Sequence, residues 1–171
     1  TGVQTCALPI WPPEAAGSSP RSPRGGHACV AGWGDGSYAL DLARRQECRV
    51  VVVEADPAVA EQARAMVARA GLQASRVQVL AKPLSTLTLA PYWAAQAVLQ
   101  DQDGHGPPEA ALAQLAAVLR PGNGTLRIPA GLHLRPAAER LLSGQPDFAL
   151  AASGSDLVIR RISAPPGSAD W

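Results

Sequence analysis

Hydrophobic and polar positions alternate along the chain in blocks whose period switches between strand and helix. An apolar run, Ala28 to Ala31, leads into Gly32-Trp33-Gly34-Asp35-Gly36, and a helix-competent run from Ser37 to Arg45 follows. Arg49-Val50-Val51-Val52-Val53 is a continuous β-branched run, apolar on both faces, as expected inside a parallel sheet. It ends at Glu54. Asp56-Pro57 then reads as an N-cap with proline at the first helical position, and Val59, Ala63, Met66, Val67 and Ala70 recur at helical spacing until Gly71. Met66 belongs to that apolar stripe and reads as core.

Val77 to Leu80 predicts a third strand, and Ala81 to Trp93 reads mostly as loop. Ala94 to Gln100 predicts a fourth strand, followed by the polar loop Asp101 to Pro108. Leu112, Leu115, Ala116 and Leu119 place one face of a helix over Pro108 to Leu119, ended by Arg120-Pro121-Gly122. Thr125 to Ile128 is a fifth strand and Pro136 to Leu142 a short helix. Phe148 to Ala152 and Leu157 to Ile162 flank Ser153-Gly154-Ser155-Asp156, a hairpin pattern. The succession predicts a three-layer α/β fold with a mostly parallel sheet, helices on both faces and a C-terminal antiparallel hairpin. The ligand crevice of such a sheet lies at the carboxyl ends of the first strands, where strand order reverses.

Composition narrows the picture. The 171 residues carry 15 basic and 14 acidic side chains, so no charge field points to nucleic acid. No apolar run approaches the ~18 residues of a membrane span. Aromatic residues are few, so Ala, Val and Leu must build the core. Residues 1–10 resemble the in-frame translation of a sequencing adapter, which would leave them without biological content and set Cys6 aside. Residues 11–26 are rich in Pro, Ser, Gly and Arg and read as linker. The folded domain is expected over 27–162, with 163–171 a further linker. Cys29 and Cys48 read as small buried thiols, although a disulfide stays open at this point. His27, His105 and His133 lack metal-ligand spacing, so no metal site is expected.

Glycines let the turn at 32–36 bend sharply and come close to a ligand, and the following helix N-terminus offers unpaired N–H groups to an anionic group. Glu54 lies 20 positions after Gly34, the separation of an acid that accepts from ribose hydroxyls. A dinucleotide fingerprint requires glycine where Ser37 stands, and no lysine follows to make a P-loop. A nicotinamide dehydrogenase is therefore disfavoured.

Gly32 to Gly36, Glu54 and Val118-Leu119-Arg120-Pro121-Gly122 resemble a class I S-adenosylmethionine-dependent methyltransferase, with a Rossmann-like fold over about Gly26 to Ile162. The resemblance implies S-adenosylmethionine as cofactor and an unidentified methyl acceptor. It implies that Gly32, Trp33, Gly34 and Gly36 pass close to the methionine part and that Glu54 holds the ribose. It sets Ala55 and Asp56 beside the adenosine and Asp101 near the substrate or the cofactor amino group.

Two departures stand out: Val30 replaces the acid usual before the first glycine, and Lys82-Pro83 replaces the Gly-Asp usual after the third strand. The order of Gly-Trp-Gly, Val-Glu-Ala-Asp-Pro, Ala-Gly-Leu-Gln-Ala-Ser-Arg-Val and the terminal Gly-Ser-Ala-Asp-Trp171 is also similar to bacterial methyltransferase-like domains that precede pyrroloquinoline-quinone-type β-propellers. That likeness implies a downstream propeller and an exported location, where a plain methyltransferase would be cytoplasmic. It also supplies an alternative function: a degenerate interaction or spacer module. No general base stands out. Asp101 and Asp103 are candidates, with solvated loop acids as the commoner reading. Trp33 is expected to pack over the turn. Tyr92 and Trp93 are expected to cover the sheet edge, with shaping of a substrate pocket as the weaker alternative.

Overall fold

The computed structural model describes residues 26–45, 47–73 and 75–163. The expectations for residues 1–10, for the stretch before Gly26 and for the terminal Gly167–Trp171 lie outside the described residues. The elements run β1 (His27–Ala31), α1 (Ser37–Arg45), β2 (Arg49–Glu54), α2 (Pro57–Arg69), β3 (Val77–Ala81), β4 (Gln96–Leu99), α3 (Pro108–Ala117), β5 (Gly124–Ile128), α4 (Arg135–Leu142), β6 (Phe148–Ser153) and β7 (Asp156–Arg161). The sheet order is β3-β2-β1-β4-β5-β7-β6, parallel from β3 to β5, with β7 antiparallel to both β5 and β6. Strand order reverses between β1 and β4, as the sequence predicts for a doubly wound sheet.

Each sheet face buries its own core, because successive strand side chains point to opposite sides. Val30, Val50, Val52, Val77 and Val79 meet Ala39 and Leu42 of α1 and Ala60, Ala63 and Val67 of α2. Cys29, Ala31, Val53, Leu99, Leu126 and Ile159 meet Leu112 and Leu115 of α3 and Ala138 and Leu142 of α4. The four valines of β2 thus face helices on both sides of the sheet. Leu112 and Leu115 are fully buried, each contributing roughly 1.5–3 kcal/mol of apolar burial. The Asp56 side chain accepts from Ala58 N at 2.7 Å, which starts α2 as its Asp-Pro pair predicts. Among the described residues, no helix is long and apolar enough to cross a membrane.

The fourth strand is shorter than its apolar run. Regular pairing covers Gln96 to Leu99, and Ala94 makes only an isolated bridge to Leu119. At the other end, Gln100 N and Asp101 N both donate to Ala31 O, at 2.8 and 3.4 Å. The ladder stops there because β1 turns away at Gly32. The segment from 82 to 93 is irregular apart from one 3-10 turn, Leu84–Thr86, whose Leu84 is buried. Cys29 and Cys48 are both buried and are not joined by a disulfide, which closes that alternative for this pair.

Candidate functional site at the strand-order reversal

β1 leaves the sheet through three glycines with φ of +82° (Gly32), +58° (Gly34) and +79° (Gly36). Side chains rarely adopt that region, so the turn requires glycine by conformation alone. Space adds a second reason. A Cβ on Gly32 would lie 2.6 Å from Asp101 Cβ, and one on Gly36 would overlap the Trp33 indole. At these two positions the close approach is between protein segments, where the family resemblance implied an approach to the cofactor. Gly34 is exposed, and a Cβ there would meet the Gln100 side chain only at ordinary contact distance.

Trp33 splits its roles. Its indole is 3% exposed, inside the core that α1 and α2 cover, while its backbone N–H donates to Glu54 Oε2 at 2.7 Å. Glu54 is buried at the carboxyl end of β2, and its Oε1 accepts from Asp56 N at 2.9 Å. One carboxylate therefore ties the glycine turn to the start of α2. Each oxygen keeps a lone pair for a further donor.

At the N-terminus of α1 one backbone N–H, that of Ser37, is bonded within the chain. Asp35 Oδ1 accepts from Ser37 N at 2.9 Å and from Ser37 Oγ at 2.7 Å, and these bonds hold the Asp35 carboxyl below its ordinary range. Of the N–H groups expected to face an anion there, that of Ser37 is bonded to the Asp35 carboxylate. Its charge opposes a pyrophosphate and favours a cation.

Asp101 is exposed, packs against Gly32 and accepts from Asp103 N through Oδ1 at 2.9 Å. Ala55 is half-buried at the end of β2, and Asp56 commits its side chain to the α2 cap. Asp103 is exposed on the loop, with its backbone N–H on Asp101. The structure thus gathers Gly32, Gly34, Gly36, Trp33 N, Glu54, Ala55 and Asp101 at one end of the sheet. Tyr92 and Trp93 do not join them. Trp93 meets His27 edge-on at 6.1 Å, at the amino end of β1. The Tyr92 ring lies 4.5 Å from the guanidinium of Arg161, whose register partner Gly124 begins β5. Both aromatics therefore sit opposite the crevice.

Two buried polar groups at the crevice carry no local signature in the sequence. Gln100 Oε1 has no donor and His105 Nε2 has no partner. His105 is fully buried, its Nδ1 accepting from Leu84 N at 3.4 Å, and desolvation lowers its pKa against the raising influence of Glu54 and Asp101. An Nδ1 that accepts leaves the proton of the neutral ring on Nε2. The nearest thing to a signal is the glycine on each side of His105.

Taken together, the crevice is rich in acceptors: Asp35, Glu54, Asp101 and the unpaired Gln100 Oε1. That set fits a ligand carrying positive charge and hydroxyl donors, as adenosylmethionine does, better than one carrying phosphates. Comparison with known proteins gives a consistent result. The family described as methyltransferase domain matches residues 29–122, more than half of the chain. A sarcosine dimethylglycine methyltransferase candidate from Galdieria sulphuraria shares the fold, with TM-score 0.59, 17% identity, and 76% of this chain and 57% of that one covered. Geranyl diphosphate C-methyltransferase from Streptomyces coelicolor, solved with Mg2+, geranyl diphosphate and S-adenosyl-L-homocysteine, gives 0.64, 10%, 82% and 74%. The 4+2 cyclase SpnF gives 0.62, 20%, 76% and 54%. The chain thus spans little more than half the length of two of these three. No curated protein matches at the sequence level.

Proposed function

The chain belongs to the methyltransferase-domain family, and from that premise we propose that it binds S-adenosylmethionine in the crevice at Gly32–Gly36 and Glu54 and passes methyl groups to an acceptor. The observation that carries the proposal is the Glu54 carboxylate, held at the glycine turn by Trp33 N–H and Asp56 N–H. Fixed from two sides, it is oriented to accept from the two hydroxyls of a ribose. Gln100 Oε1 and Asp35 supply acceptors beside Gly34 for an ammonium group. When bound, adenosylmethionine supplies an electrophilic methyl on a positively charged sulfur. The chain's own contribution is placement, which shortens the search for a near-attack geometry. Asp101, at the carboxyl end of β4, faces the acceptor side of that arrangement.

Thermal shift tests this reading. Millimolar S-adenosylhomocysteine raises the melting temperature of the full chain, and Glu54→Ala removes the rise. No shift with either cofactor form would overturn it. A second reading, a degenerate interaction or spacer module without turnover, is favoured by Val30 and Pro83 where the family carries acids. The same fold in a cyclase shows that this architecture does not fix one reaction. Methyl transfer that disappears in Glu54→Ala would exclude it. A β-propeller partner rests on the likeness carried by Gly-Trp-Gly, Val-Glu-Ala-Asp-Pro, Ala-Gly-Leu-Gln-Ala-Ser-Arg-Val and the terminal Gly-Ser-Ala-Asp-Trp171, and is tested by the downstream reading frame.

A further inference from the structure

The loop after β4 does more than connect two elements. From Asp101, packed on Gly32 at the end of β1, it crosses to Ala55 at the end of β2. A Cβ on Gly104 would lie 2.8 Å from Ala55 Cβ. It then reaches the segment after β3, where a Cβ on Gly106 would lie 2.9 Å from Ser85 Cβ. Gly104 and Gly106 are themselves exposed, with φ of +75° and +94°. Between them His105 is 0% exposed and sits beneath the loop against Leu84 N. The sequence Gly104-His105-Gly106 is therefore a surface loop that drives one imidazole into the crevice.

That imidazole is loosely held. Its one hydrogen bond is 3.4 Å long, and Nε2 finds no acceptor. An unpaired buried donor is unfavourable, and native structures retain few of them. The loop is latched from outside by Gln102 Nε2, 3.0 Å from His133 Nε2, and is turned within itself by His105 N donating to Gln102 O at 3.2 Å.

Resting on the reading that Glu54 holds a ribose, the base attached to that ribose would lie over the adjoining Ala55, where Gly104 of the loop packs. That space is the one the loop fills. We propose that Asp101–Pro107 is a strap closed over the nucleoside half of the crevice, with His105 as its plug, so that a bound nucleoside and His105 compete for one volume. The flanking glycines let the strap lie flat on Ala55 and Ser85, and lifting it exposes His105. The neutral ring preferred by the buried position belongs to the closed form.

S-adenosylhomocysteine with the full chain tests the competition. Gly104→Ala adds a methyl that cannot fit over Ala55 in the closed strap, and His105→Ala removes the plug. Both variants should bind about tenfold more tightly than wild type, since the closed population no longer reduces the apparent affinity. Hydrogen exchange provides the second readout. Ligand should speed exchange at the amides of 104–106 while slowing it at Trp33. Slower exchange in the strap with weaker binding by both variants would mean that the strap grips the ligand, and would overturn the proposal. Equal affinities would overturn it as well, leaving the proposed function intact. Absence of binding by all three chains would remove both.

Discussion

Replacing Glu54 probes fold and function through the same two oxygens. Glu54 is 8% exposed, and its carboxylate accepts from Trp33 N at 2.7 Å and Asp56 N at 2.9 Å. Hydrogen bonds to a charged group contribute about 1.5–3 kcal/mol each, and a buried donor left unpaired costs about 1–3 kcal/mol. Trp33 N is enclosed, whereas Asp56 N is partly reached by water, which replaces some of its lost bond. Glu54→Ala is therefore expected to destabilise the domain by about 2–3 kcal/mol. Glu54→Gln keeps one acceptor oxygen but turns an amide donor towards the second N–H, and should cost about 1–2 kcal/mol by the same reasoning. Urea unfolding with a two-state fit measures both. Removing two hydrogen bonds to the ribose, at about 1.5 kcal/mol each, should weaken S-adenosylhomocysteine binding on the order of 100-fold. A Glu54→Ala variant within about 0.5 kcal/mol of wild type, the size of an ordinary surface change, would refute this reasoning.

Three further outcomes follow from other parts of the molecule. Burial pushes the Cys29 thiol up to about 12, so native protein treated with iodoacetamide at pH 8 should remain unlabelled at Cys29 by mass spectrometry, and rapid native labelling would contradict the core placement. Burial depresses His105 below its unfolded value of about 6.5, so the unfolded chain binds the extra proton and ligand-free stability should fall as pH drops below about 6.5. His105→Ala should flatten that slope between pH 7.5 and 5.5, and an unchanged slope would show that His105 is not buried neutral. The Arg161–Asp147 pair is 2.8 Å apart with both side chains under a tenth exposed. Asp147→Ala should cost about 3–5 kcal/mol by stranding the guanidinium, while an Asp147→Leu/Arg161→Met double variant should come close to wild type.

The parts of the fold legible in the sequence were those with a local physical signature. Four consecutive valines require a strand covered on both sides, and both cores form on β2. Asp56-Pro57 carries its own cap, and the three glycines of Gly32–Gly36 mark a sharp turn. The contents of the crevice were less legible, because they depend on what lies across it. Nothing near Gly36 announces that its missing Cβ makes room for Trp33. Asp35 reads as a generic loop acid until Ser37 is seen bonded to it. His105 reads as one scattered histidine, since its partner Leu84, and Ala55 and Ser85 against the flanking Gly104 and Gly106, lie 20 or more positions away in the chain. The Arg161–Asp147 pair likewise joins two segments that only the hairpin register brings together.

An acceptor-rich crevice at the β1–β4 reversal should select a cationic nucleoside over a phosphate-bearing one, and that selection is the central claim. Calorimetric titration of the full chain with S-adenosylmethionine and with NAD, in the same buffer, tests it most directly. Saturable one-site binding of S-adenosylmethionine is predicted, with no heat from NAD, because the Asp35 carboxylate bonded to Ser37 N sets a negative charge against a pyrophosphate at the start of α1. Binding of NAD, or silence with millimolar S-adenosylmethionine, would contradict it.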